Sequence, residues 1–182
     1  PGDRVLVIDF GRFGLLLQEI LGRIGAVIET VSAPWGEVVP MDAVADAISR
    51  ACPKLVACVH GDTSTTMAQP LDGLGELCRE AGALSYVDAT ATIGGMEIAA
   101  DRWGVDVVTG GLQKCLGGPS GSAPITISQR AAEHIFARRH VEAADILPQK
   151  MDRAAIGPER AGDLMDQRAL AGTIRADQRV DL

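Results

Sequence analysis

The sequence predicts an α/β fold of three layers, α/β/α, built on a mainly parallel sheet. Short aliphatic runs alternate along the chain with segments of helical periodicity. The runs are nearly continuous in apolar residues, as strands covered on both faces are. Polar and glycine-rich residues gather directly after them. In open sheets of this kind ligands bind outside the carboxyl ends of the strands, so FGRFG, HGDTST, DATAT and GGLQK are expected to meet in one crevice.

Taken in order, Val5 to Asp9 is a β-branched and aliphatic run after a turn signal. GRFG then leads into LLLQEILGRIG, whose apolar residues recur at helical spacing until Gly25. Ala26 to Val31 is strand-like, SAPWGE is a loop, and Met41 to Ala51 is an amphipathic helix stopped by Cys52-Pro53. The third strand, Leu55 to Val59, ends in the polar HGDTSTTM. A helix over Leu71 to Glu80 closes at Gly82, and the strand Leu84 to Val87 delivers Asp88. Val105 to Thr109 delivers Gln113 and Lys114 through a glycine pair. Ala123 to Ser128 is a last strand, and Gln129 to Val141 a last helix.

At 182 residues, with 47% hydrophobic residues and a mean hydropathy of +0.15, the chain is long enough to bury a core. A net charge of −7 without a lysine–arginine cluster excludes a nucleic-acid surface. The apolar runs are strand-sized, and PGDRVLVIDF lacks the parts of a signal peptide, so the expected setting is cytoplasmic, with no membrane partner. Cys52, Cys58, Cys78 and Cys115 form no CxxC pair and no zinc spacing. Reduced thiols and no metal site are expected.

Asp88 at the end of one apolar run and Lys114 just past another are the parts of a pyridoxal phosphate site. A carboxylate there can keep a pyridine nitrogen protonated, and a lysine can form a Schiff base with the cofactor aldehyde. The plainer alternatives are a helix N-cap for Asp88 and a surface charge for Lys114. Ala91 to Gly95 is a poor helix start, which weakens the first. The glycine-flanked position of Lys114 beside Gln113 weakens the second. Phe13 is either a core side chain or a flat wall for a planar ring. His60 and Asp62 do not form a hydrolase site, since no G-x-S-x-G elbow is present, and GGLQKCLGG does not keep the order of a Walker A loop.

HGDTSTTMAQPL, YVDATATIGG and GGLQKCLGGPSG resemble the class V aminotransferases of fold type I. Together with FGRFG and APWGE they are similar to the branch that contains ureidoglycine–glyoxylate and alanine–glyoxylate aminotransferases. The resemblance runs from about Gly2 to about Val141. It implies the large domain of a fold type I enzyme using pyridoxal 5′-phosphate, with a small-molecule amino donor, a keto acid acceptor and a place in purine catabolism. It also implies Lys114 as the Schiff-base lysine and Asp88 as the partner of the ring nitrogen. Gln113 is implied near the phosphate, Thr63 on the hydroxyl side of the ring, and Phe13 and Thr90 on its two faces. A homodimer in the intact enzyme follows from the same resemblance.

The family has a segment before the point where this chain starts and a C-terminal domain that supplies the arginine for the substrate carboxylate. With no initiating Met, the chain reads as an excerpt of a longer protein. The expected organisation is a partial cofactor-binding domain over 1–142 and an atypical tail over 143–182, mobile or foreign to the fold, with a short helix around Ala161 to Ala171. All six aromatic residues precede that tail. Two rivals to the aminotransferase stand beside it. One is a non-catalytic fragment that keeps the fold. The other is a related lyase such as a cysteine desulfurase using Cys115, against the reading of Cys115 as a small buried hydrophobe.

Overall fold

Six strands form one sheet in the order β2-β1-β3-β6-β7-β8. The computed structural model describes the backbone of residues 1–146 and the side chains of residues 1–137. The chain falls into two units, Pro1–Ser128 and Gln129–Leu182. The first contains β1 (Arg4–Asp9), α1 (Arg12–Arg23), β2 (Val27–Ser32), α2 (Met41–Ala51) and β3 (Leu55–Val59). It continues through β4 (Gly61–Asp62), β5 (Met67–Ala68), α3 (Leu74–Glu80), β6 (Leu84–Asp88), α4 (Ala100–Trp103), β7 (Val107–Thr109) and β8 (Ile125–Ile127). Of the second unit, α5 (Gln129–Ile146) is described. The expected tail beyond Ile146, with its helix at Ala161 to Ala171, lies outside the described residues.

The continuous apolar strands have the cause expected of them. Leu6, Ile8, Val56, Cys58 and Val87 pack on one side with Val44 and Ile48 of α2 and Leu74 and Cys78 of α3. Val5, Val7, Ala57 and Val59 pack on the other with Leu17 of α1. Successive strand residues point to opposite faces, so burial of both faces requires both parities to be apolar. β1, β2, β3, β6 and β7 are parallel, in the register Val59 to Asp88 to Thr109 across the last three. That register sets the carboxyl ends of β3, β6 and β7 level.

Four details differ from expectation. β8 runs antiparallel to β7, because the glycine-rich connection forms no crossover helix and folds back, with Gly110 N–H on Pro124 O at 2.8 Å. HGDTSTTM is not merely a loop: β4 and β5 pair in a small antiparallel ribbon, with Thr66 at φ 60° in its turn. α3 begins at Leu74 instead of Leu71, since Gly73 takes φ 85°, outside the helical region. α4 has four residues, too few to leave a periodic signature.

Candidate cofactor site

The chain passes from β1 outward to β2 and returns to β3 on the opposite side of β1. The carboxyl ends of β1 and β3 therefore form a switch point, where open α/β sheets hold their ligands. FGRFG leaves β1 there and HGDTS leaves β3. DATAT and GGLQK follow from the next two strands along the sheet, so the four expected loops do stand on adjacent strand ends.

Phe13 lies in the first turn of α1, not in the loop before it, and its side chain is exposed. Its N–H donates to Asp62 Oδ2 at 2.8 Å. The other oxygen, Oδ1, accepts from Ser64 N–H at 2.9 Å and from the Ser64 hydroxyl at 2.6 Å. Ser64 Oγ in turn accepts from Arg12 N–H at 2.9 Å. Thr63 sits exposed between Asp62 and Ser64. Sequence reasoning set Asp62 aside as a would-be triad member. The structure makes it the acceptor for the start of α1, a part that the strand-to-loop boundary alone could not reveal.

Asp88 ends β6 level with Val59 and Thr109. Its Oδ1 accepts from Thr90 N–H at 2.8 Å, an Asx turn, and no helix follows before Ala100, so it is not a helix N-cap. Oδ2 accepts no hydrogen bond among the described residues. Two neighbours register the carboxylate. Burial pushes the Cys58 thiol up, and the charge of Asp88 adds to it. Burial also raises the Tyr86 phenol, against a lowering by its hydrogen bond to Thr109, with Asp88 again adding.

The loop after β7 is folded tightly against DATAT. A Cβ on Gly111 would stand 2.8 Å from Thr90 Cγ2 and 2.9 Å from Gln113 Oε1, so Thr90 and Gln113 leave no room there for a side chain unless they shift. Lys114 occupies a turn, its N–H on Gly111 O at 3.3 Å and its O accepting from Gly117 N–H at 2.9 Å. Its side chain is exposed, and Nζ has no ion-pair or hydrogen-bond partner among the described residues. Cys115 is also exposed, contrary to the buried reading, because the glycine-rich loop carrying it leaves it uncovered; its thiol donates to Ala91 O at 3.2 Å. A separate apolar cavity of about 400 Å³, lined by Ile93, Met96, Val108, Pro124 and Ile125 among others, holds none of these groups.

The donor set suits pyridoxal phosphate: a carboxylate with one uncommitted oxygen, an unpaired lysine amine, a hydroxyl at Thr63 and a flat aromatic at the switch point. Among the described residues no cluster of His, Cys, Asp or Glu could hold a metal, and no helix is long and apolar enough to cross a membrane.

The profile of the family Aminotransferase class-V matches residues 1–143. The chain belongs to the class V aminotransferases. Its sheet and helices accordingly have the fold type I architecture of these pyridoxal phosphate enzymes. One relative, the (S)-ureidoglycine–glyoxylate transaminase of Bacillus subtilis, is 46% identical over 160 residues, which is 88% of this chain and 38% of the relative. A match that takes in 160 of the 182 residues runs past Val141, further than the expected end of the likeness. The alanine–glyoxylate aminotransferase of Rattus norvegicus is 36% identical over 76% of this chain and 34% of its own. Among solved structures, the Bacillus subtilis ureidoglycine–glyoxylate aminotransferase superimposes with a TM-score of 0.74 at 48% identity, covering 76% of this chain and 36% of that one. An alanine–glyoxylate aminotransferase from Nostoc gives the same TM-score at 45% identity, covering 76% and 37%. This class V chain thus spans little more than a third of the length of the relatives it matches.

Proposed function

We propose that this chain is the cofactor-binding part of a pyridoxal phosphate-dependent aminotransferase that moves an amino group from ureidoglycine or alanine to glyoxylate. The observation that carries the reading is the pair Asp88 and Lys114, on the ends of neighbouring strand systems, each with a reactive atom left without a partner. The names of the relatives support the donor and acceptor. We extend the reading to a cytoplasmic homodimer acting in purine catabolism.

When bound, the cofactor supplies an electron sink for the bond broken at the substrate Cα. Asp88, with Oδ1 tied to Thr90 N–H, has its other oxygen free and would keep the cofactor's ring nitrogen protonated. Lys114 Nζ, unpaired in its turn, would hold the cofactor covalently, and the same amine when free would move the proton at the substrate Cα. Phe13 and Thr90 would orient the cofactor ring, Thr63 would bind its hydroxyl, and Gln113 would serve its phosphate.

The test is direct. The chain is titrated with pyridoxal phosphate, the visible band is followed, and borohydride is added before the label is mapped. A label on Lys114 supports the reading; a label spread over other lysines, or no band, refutes it. Glyoxylate turnover with ureidoglycine against alanine then selects the donor. A second reading, a fragment that keeps the fold without activity, is favoured by the length covered; a band at Lys114 without turnover selects it.

A further inference from the structure

We infer that Asp62 is the positioning residue of this site, the carboxylate that fixes Phe13 and Thr63 relative to each other. The inference rests on the reading of those two residues as cofactor contacts. Asp62 is 1% exposed and has no lysine or arginine partner among the described residues. Its two oxygens are spent on donors from the two sides of the switch point. Oδ2 takes the Phe13 N–H, 49 residues away in sequence. Oδ1 takes the Ser64 N–H and hydroxyl. Through Ser64 Oγ the Arg12 N–H joins the same clamp. Thr63 is the residue enclosed between the clamped positions, and Phe13 is the one held from across the crevice.

The chemistry explains why a carboxylate stands here. The first N–H groups of a helix have no partner within it, and a negative charge is favourable at that end. An ionised Asp only accepts, so it can serve donors with both oxygens. Asn has a single acceptor oxygen and would turn an amide N–H toward the N–H of Phe13 or of Ser64. Gly11 supplies the room: a Cβ there would lie 2.5 Å from Asp62 Cγ and Oδ2. Its φ of 176° is extended and open to any residue, so space, not backbone freedom, calls for glycine. Gly11→Ala therefore displaces the carboxylate without removing its charge.

The test compares Asp62→Asn, Gly11→Ala and Ser64→Ala with Asp106→Asn. Asp106 is 3% exposed and accepts from Ser85 and Ser128 near the amino end of β7, away from the crevice. Each protein is titrated with pyridoxal phosphate by visible absorption and induced circular dichroism, and hydrogen exchange is followed at the Phe13 amide. Asp62→Asn and Gly11→Ala are expected to raise the dissociation constant about tenfold or more. They should also flatten the induced dichroism and lose protection at Phe13. Asp106→Asn is expected to unfold more readily yet bind as the unsubstituted chain. Unchanged affinity in Asp62→Asn and Gly11→Ala overturns the inference, as does an equal loss in Asp106→Asn. If Asp62→Asn does not fold, Gly11→Ala and Ser64→Ala decide. A chain that binds no cofactor fails the functional reading instead; retained protection at Phe13 in the variants, read without cofactor, would then overturn the clamp separately.

Discussion

The imidazole Nδ1 of His60 lies 2.8 Å from the hydroxyl of Thr92, which fastens the residue after β3 to the loop that follows Asp88. The hydroxyl donates onward to Ala89 O at 3.3 Å, so Nδ1–H is assigned as the donor to Thr92. Trp103 tilts against the same ring, 5.5 Å between centroids. Burial lowers the imidazole pKa from its ordinary 6.5. The unfolded chain thus takes up a proton that the folded chain resists, and stability is expected to fall as pH drops below 6.5 toward the lowered value. Urea unfolding at successive pH values should show that decline, and His60→Asn should flatten it. Thr92→Val keeps the shape but strands a buried N–H, at a cost of about 1–3 kcal/mol.

Tyr86 is the one tyrosine of the chain, so its phenol can be titrated by ultraviolet absorbance without interference. Because the charge of Asp88 adds to the upward push of burial, Asp88→Asn is expected to move the titration down while leaving it above the ordinary value of 10. The Asn oxygen still accepts from Thr90 N–H, so the fold should persist. Under the proposed function the same substitution lowers transamination by the complete enzyme about a hundredfold or more, measured as glyoxylate consumption.

Gly75 sits inside α3, where helix propensity alone favours alanine by about 1 kcal/mol. Packing points the other way. An added Cβ would run into the backbone of Trp103 and Gly104, which has no rotamer to yield. Gly75→Ala should therefore destabilise by about 1–3 kcal/mol net, measured as a lower urea midpoint with an unchanged slope.

Gln69 is 1% exposed and bridges a strand end to the loop before α2: Oε1 accepts from Val39 N–H at 2.9 Å, and Nε2 donates to Val39 O at 2.7 Å. Gln69→Leu fits a similar volume but leaves both Val39 groups buried without that partner. A loss of about 2–4 kcal/mol is expected, roughly 1–3 for each orphaned group less the gain from an apolar side chain, read by thermal or urea unfolding. Gln69→Glu restores one acceptor and should recover only part of it.

The sheet was legible because burial on both faces leaves a mark at every position of β1 and β3, not at alternate ones. The positions of Asp88 at the end of β6 and of Lys114 in the glycine-rich turn after β7 were legible for a related reason, since an apolar run that stops at a charge or at glycines marks a strand end. What escaped was set by distance along the chain. The Asp62 clamp joins residues 49 apart, and no local pattern announces it. The placement of Phe13 in the first turn of α1 goes with that clamp, and the start of α3 with the backbone angle of Gly73. The direction of β8 turned on a loop whose glycines signal bending without saying which way it bends.

The cysteines fall into two pairs, Cys52 and Cys115 exposed, Cys58 and Cys78 buried. Cys58 is fully buried near the carboxyl end of β3, its thiol held neutral by burial and by the carboxylate of Asp88. A thiol that is neither accessible nor ionised does not react with an alkylating reagent until the strands around it separate. The centre of the sheet therefore carries its own clock: with the other buried thiol, Cys78 of α3, replaced by alanine, the slow phase of thiol modification measures how often β3 and β6 part, and a ligand that bridges the loops at their ends should lengthen it.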